Sequence, residues 1–336
     1  MSVRPHRPRR LRSHAAIRGL VREHRLHPEQ LILPLFVVEG SGVREPIDTL
    51  PGVERLSIDQ VFEVIETACS LSVRSFALFP KIEADQKTTD GAAAVNQSGL
   101  ACRAMRAIRD AYPDVSLVGD VALDPYSSDG HDGIVRDGRV LNDETVEILA
   151  KQALLLAQAG ADIVAPSDMM DGRIGAIRAE LESAGQAETV IMSYAAKYAS
   201  SFYGPFRDAL DSAPIRREGV PLDKRSYQMD PANGQEAVHE ASLDIEEGAD
   251  IVMVKPGLPY LDVVHRLADT LPVPVAAYHV SGEYAMLRSA AALGCVDYEQ
   301  ALQESLICLV RAGARIVLTY GALDYARLYQ KEHGHA

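Results

Sequence analysis

Eight short apolar runs, separated for the most part by helix-patterned stretches, constrain this 336-residue chain more than any other feature. They occupy 31–38, 75–80, 116–123, 161–166, 189–196, 249–254, 274–280 and 314–319. Their continuous apolar character, in place of strict alternation, is the pattern of strands buried on both faces of a parallel sheet. Segments such as 145–158 and 236–247 carry helical periodicity, and Gly160, Gly248 and Gly313 punctuate the turns that lead from such segments into the next run. Glycine just past a helix and just before a strand is normal chemistry for that connection. Eight alternations, in a body somewhat longer than the roughly 250 residues typical of the fold, predict an α/β fold of the (β/α)8 TIM-barrel type. A doubly wound open sheet is the alternative, but no GxGxxG follows an early run and no GxxxxGK[ST] occurs anywhere. No linker rich in Pro, Gly or Ser divides the body, so the expected organisation is an extended basic N-terminal arm over 1–28 and a catalytic barrel over 29–336.

Charge sets the arm apart. Residues 1–25 hold eight arginines, from Arg4 to Arg25, against the single acid Glu23, in a chain whose net charge is −13. An acidic body opposes nucleic-acid binding, and no aromatic platform or helix-turn-helix pattern accompanies the arm, so no nucleic-acid partner is expected. The arm is better suited to lie on the acidic surface of a second copy, which predicts a homo-oligomer. No apolar stretch approaches the roughly 20 residues that span a bilayer, and the Arg-rich start lacks the apolar core of a secretory signal. The expectation is a cytoplasmic protein with no membrane partner. Cys69, Cys102, Cys295 and Cys308 lie far apart without a CxxC, as reduced thiols do.

A barrel builds its site at the C-terminal ends of its strands. Here those ends read Asp120 to Asp124, Ser167-Asp168, Ser193 to Lys197, Lys255, His279-Val-Ser281 and Tyr320. Lys197 and Lys255 therefore close consecutive strands. A lysine at an apolar mouth is desolvated, and a neighbouring ammonium disfavours its charge further, which frees an amine to attack a carbonyl and form a Schiff base. Either lysine alone could equally be a carboxylate or phosphate clamp. The long segment from Tyr198 to Asp230 reads as a lid, in which Arg207 and Lys224 offer cations to a carboxylate while Tyr203 and Phe206 exclude water.

The strings Asp-Val-Ala-Leu-Asp-Pro-Tyr from Asp120, Ala-Pro-Ser-Asp-Met-Met-Asp-Gly-Arg from Ala165, Met-Ser-Tyr-Ala-Ala-Lys-Tyr-Ala-Ser from Met192, Phe-Tyr-Gly-Pro-Phe-Arg-Asp-Ala from Phe202, Tyr-Gln-Met-Asp-Pro, Val-Met-Val-Lys-Pro-Gly and Val-Ser-Gly-Glu-Tyr-Ala-Met closely resemble the porphobilinogen synthase (5-aminolevulinate dehydratase) family. The resemblance implies a lyase that condenses two 5-aminolevulinate molecules to porphobilinogen, with loss of water, in haem biosynthesis. It implies that Lys255 forms the Schiff base with the substrate supplying the propionate side chain, whose carboxylate meets Ser281 and Tyr320. Lys197 would take the other substrate, whose carboxylate meets Arg207 and Lys224. Asp120, Asp124 and Ser167 would move protons or hold the free amino group. A homo-octamer is usual in the family.

One departure is chemical. Zinc-dependent members carry three cysteines where this chain has Ala122, Asp124 and Asp132, and two hard carboxylates with a methyl do not make a soft zinc site. His131 alone does not restore it. The expectation is therefore no catalytic Zn2+ and no organic cofactor, with a non-catalytic Mg2+ that the resemblance places at Glu240. A class I aldolase also uses a barrel lysine, but needs only one, and the strand-seven and strand-eight ends lack a Gly-rich phosphate cradle. A non-catalytic assembly protein acting through its arm would form no lysine adducts.

Overall fold

The computed structural model describes residues 6–216 and 218–334. Arg4 and the rest of the first five residues of the expected arm, Arg217, and the last two residues of the expected barrel lie outside the described residues. Eight parallel strands follow the eight apolar runs: β1 Leu31–Val37, β2 Ser75–Pro80, β3 Ser116–Val121, β4 Ile163–Pro166, β5 Val190–Lys197, β6 Ile251–Lys255, β7 Val275–His279 and β8 Ile316–Thr319. Each pairs with the next in sequence, and β8 returns to β1 through Leu31↔Val317 and Ile32↔Leu318, so the sheet closes into a barrel. The helical stretches are observed at Asn142–Gln158 and Glu236–Glu246.

Inside the barrel, Ile32, Val118, Met192, Met253 and Leu318 project from five strands and Ala77, Ala165 and Ala276 from the other three, filling the axis. The opposite faces of the same strands, for example Val252, Val254, Ala277 and Val317, belong to the layer under the helices. Strands buried on both sides have no polar face to alternate with, which is why the runs read as continuous.

Two three-residue antiparallel pairs, Arg44–Pro46 with Glu54–Leu56 and Ile134–Arg136 with Arg139–Leu141, decorate the barrel. Strands that short carry no readable period. The first pair extends the sheet at the end of β1, where Phe36 pairs with Arg55. Before Leu26 the described chain is almost wholly exposed, in short helical turns at Pro8–Arg12 and Ala15–Leu20 that leave Leu11, Leu20 and Val21 open to solvent. No helix among the described residues is long and apolar enough to cross a membrane.

Candidate active site

Lys197 and Lys255 are register partners at the ends of β5 and β6. Both are buried. On β5 the pairing slips by one residue between Val252 and Val254 of β6, a bulge that sets Tyr194 and Lys197 three positions apart and still lets both side chains face inward. A regular strand would turn one of them outward.

The two amines sit in opposite surroundings. Lys197 Nζ donates to the Ser167 carbonyl and, at 3.3 Å, to Asp132 Oδ2. Asp132 Oδ1 accepts from Lys224 Nζ at 3.0 Å, and Lys224 also reaches Asp124 Oδ2 at 3.5 Å. Burial alone would raise the Asp132 carboxyl, but Lys197 and Lys224 outweigh it and hold the group well below the carboxylate range. Burial likewise disfavours the Lys224 ammonium, and Asp124 and Asp132 reverse the effect and raise its pKa.

Lys255 Nζ lies 4.9–5.1 Å from the ring centroids of Tyr278, Tyr194, Phe206 and Tyr203. Burial, then the Lys197 ammonium, push its pKa down to about 7, against the pull of Asp120, Asp124 and Asp132. Asp120 is displaced the other way, to about 7, by burial and then by Asp124. Its Oδ1 has no hydrogen-bond partner among the described residues. A buried amine and a buried carboxyl that both titrate near neutrality can exchange protons with a bound molecule.

Of the residues expected from sequence, Asp120, Asp124, Ser167, Lys197, Tyr203, Phe206, Arg207, Lys224 and Lys255 line one cavity, together with Asp132 and Gln228. Tyr203 Oη lies 2.8 Å from the Tyr198 carbonyl and 3.0 Å from that of Lys255, fixing the chain beside the Lys255 amine. The Arg207 guanidinium stands 5.9 Å from the Tyr203 ring. Ser281 and Tyr320 do not reach the cavity wall. Ser281 Oγ accepts from Phe206 N at 3.1 Å, which places it behind a wall residue, and Tyr320 Oη meets at 2.9 Å the Oη of Tyr278, whose ring lies 4.9 Å from Lys255 Nζ. His279, at the end of β7, pairs its Nδ1 with Thr319 Oγ1 at 3.0 Å on the helix side. Tyr278, one residue earlier, is the inward group.

The long segment after β5 folds back on the strand ends. Ala199 N donates to Met229 O, and Met229 N to Lys197 O, so the return of the loop pairs beside the lysine that ends β5. Between them runs the helix Gly204–Leu210. Gly130, in the loop after β3, lies against the same segment at φ +72°, and a Cβ there would fall 2.2 Å from Ala213 O. Only glycine permits that approach.

Sequence reasoning missed Asp132 as a working residue, along with Gln228, Tyr194 and Tyr278. Asp132 stands in the same loop as Asp124, and the two carboxylates flank one ammonium. Tyr278 follows from counting inward positions along β7 in twos, which points one residue before the strand end.

The donor set does not fit zinc. Ala122 offers no ligand atom, Asp124 and Asp132 are engaged by Lys224, and His131 has both nitrogens occupied, Nδ1 by Tyr227 Oη at 3.0 Å and Nε2 by Pro221 O at 2.9 Å. Since Pro221 O can only accept, Nε2 carries the proton. Glu240 does not line this cavity. It is half-buried on its helix in a separate surface depression with Asp171 and Glu236, and burial, then Asp244, raise its pKa.

The delta-aminolevulinic acid dehydratase family profile matches residues 5–328. A delta-aminolevulinic acid dehydratase of Bradyrhizobium diazoefficiens is 53% identical over 316 residues, 94% of this chain and 88% of that protein. The chloroplastic enzyme of Glycine max is 54% identical over 323 residues, 96% of this chain and 77% of that protein. A crystal structure of the Toxoplasma gondii enzyme (porphobilinogen synthase), in complex with the reaction product porphobilinogen, superposes with a TM-score of 0.95 at 48% identity, covering 98% of this chain and 93% of that one. A barrel with two register-paired lysines at its mouth, matched along nearly its whole length, belongs to the delta-aminolevulinic acid dehydratase family.

Proposed function

We propose that this chain is a lyase that condenses two 5-aminolevulinate molecules into porphobilinogen for haem synthesis, holding both substrates as lysine imines. The observation that carries the reading is the Lys255 amine, pushed to about 7 in a pocket of rings beside its register partner Lys197. Such an amine is about half neutral at neutral pH and can attack the keto carbon. Each imine expels one water, and two waters leave overall. A protonated imine withdraws electrons and acidifies the adjacent carbon, so the remaining work is proximity and proton transfer.

In this reading Lys255 takes the substrate that leaves the propionate side chain and Lys197 takes the other. Asp120, with its unpartnered oxygen and a pKa near 7, is suited to take up and return protons. Asp124 and Ser167 orient the free amino group. Arg207 and Lys224 receive one carboxylate. Ser281 and Tyr320 receive the other, which requires Ser281 to release Phe206 N as substrate enters.

We infer from the donor set that zinc takes no part. Glu240 is the residue proposed to hold Mg2+ away from the chemistry, because a partly buried carboxylate with a raised pKa gains from a hard divalent cation; the ion would supply charge neutralisation there. The exposed apolar and basic arm is proposed to dock on another copy, as in the octamer that the resemblance implies.

Borohydride reduction in the presence of 5-aminolevulinate, followed by peptide mass mapping, tests the reading. Adducts on Lys255 and on Lys197, with porphobilinogen formed in unreduced controls, are expected. No adduct on either lysine would overturn it.

A further inference from the structure

The helix Gly204–Leu210 carries Phe206 and Arg207 onto the cavity wall, and at seven residues it is too short to hold its place unaided. Its start is held just past the β7 end: Phe206 N in its first turn donates to Ser281 Oγ, and in the short turn that leads into it Phe202 O lies so close to Gly282 that a Cβ there would sit 2.5 Å away.

Its last turn is held differently. A helix leaves its final carbonyls without internal donors, and that end carries partial negative charge. The Arg207 carbonyl is met by Ser212 N at 3.0 Å. The next four carbonyls all accept from cationic side chains. Arg55 gives Nη2 to Asp208 O at 2.7 Å and Nε to Ala209 O at 2.6 Å. Lys87 gives Nζ to Leu210 O at 3.1 Å and to Asp211 O at 2.7 Å. Both cations come from more than 100 residues away in sequence. Arg55 is buried on the short strand bonded to the end of β1, and its third donor is fixed by Glu45 Oε1 at 2.6 Å. Lys87 lies in the loop after β2, and Lys81 at the start of that loop reaches the Asp211 carboxylate at 3.5 Å. The helix thus crosses the mouth from the β7 side to the β1–β2 side.

We propose that Arg55 and Lys87 are positioning residues, a latch that fixes the C-terminal end of this helix so that Phe206 and Arg207 stay over Lys255. The proposal rests on the reading of Lys255 as the reacting amine. The latch acts on substrate retention: with it released, the wall formed by Phe206 and Arg207 loosens while the amine and its ring-lined floor on β5–β7 remain.

The test uses the full chain with Lys87→Met, Arg55→Met and Lys87→Arg, followed by hydrogen exchange and by steady-state porphobilinogen formation. Lys87→Met is expected to speed amide exchange in 204–212 about tenfold without changing β5–β7, and to raise KM for 5-aminolevulinate about tenfold with kcat changed less than about threefold. Arg55→Met moves both readouts the same way and further. Lys87→Arg restores both to within about twofold, because a guanidinium can still meet two carbonyls. Unchanged exchange in 204–212 for Lys87→Met, a fall in kcat with KM unmoved, or faster exchange throughout the barrel strands would overturn the latch. If the unaltered chain forms no porphobilinogen, the proposed activity fails, while the exchange measurement still decides the latch.

Discussion

Lys197 reaches a carboxylate and a carbonyl, whereas Lys255, its register partner one strand over, reaches four aromatic rings. The strands treat the two residues alike: both end a β-strand, both point into the mouth, both are buried. What separates them is supplied by other parts of the chain. The loop after β3 brings Asp124 and Asp132 to the Lys197 side, and Lys224 joins them from the long segment after β5. Tyr194 and Tyr278 come from the barrel interior, and Tyr203 and Phe206 from the start of the segment that bears the short helix. A barrel can thus place two identical amines side by side while its loops hold one among charges and strip the other of water.

The largest break in this pairing comes from removing the ring-caged amine. Lys255→Ala, and equally Lys255→Arg, should lower porphobilinogen formation at least about 10⁴-fold in a coupled colour assay, since a guanidinium stays charged and does not attack carbonyls. The pH dependence sharpens the same point. With its pKa near 7, Lys255 is increasingly protonated below that value, so the initial rate of borohydride-trappable adduct at Lys255 should fall about tenfold per pH unit below 7 and level off above about 8. A rate that climbs steadily to pH 10 would show an ordinary lysine.

Lys197→Ala should cost less, about 10²- to 10³-fold in turnover, and should leave the Lys255 adduct detectable by mass mapping. If it instead removes the Lys255 adduct, the two amines do not act on separate substrates.

Stability should move in opposite directions. For Lys255 the folded pKa lies below the unfolded value, so between about 7 and 10.5 the unfolded chain binds the extra proton and stability rises with pH through that window. Below it the penalty of the buried amine is fully present. Lys255→Met removes that penalty and should raise stability by roughly 1 kcal/mol at pH 6, with the gain fading toward pH 10. Lys197→Met leaves Asp132 short of one cation and should cost about 3 kcal/mol. Melting temperatures of both variants across pH, at one protein concentration, check the signs.

The strands were legible because burial on both faces writes itself as continuous apolar runs, and β2 begins and ends where its run does. The lysines were legible because they end such runs. Their differing surroundings were not. The β5 bulge shifts the inward positions by one residue, so Tyr194 falls out of simple alternation with Lys197. Tyr278 was passed over for the strand-terminal His279, which faces the helices. Arg55 and Lys87 left no local trace, since the carbonyls they meet lie more than 100 residues further along the chain.

The smallest expected effect separates ring from hydroxyl at Tyr278. Its ring centroid is 4.9 Å from Lys255 Nζ, while its Oη meets Tyr320 Oη at 2.9 Å behind the cavity. If the ring is what excludes water from the amine, Tyr278→Phe keeps that function and loses only a buried hydrogen bond, at about 1 kcal/mol of stability. The midpoint of adduct formation should then stay within about 0.3 pH unit of the unaltered chain, and kcat within about threefold. Tyr278→Leu keeps a similar apolar bulk without a π face, so it should move the midpoint further, toward lower pH, because the charged amine loses an attractive ring while burial persists. Equal midpoints for Phe and Leu would mean that burial alone sets the Lys255 pKa and that the rings contribute only by filling space.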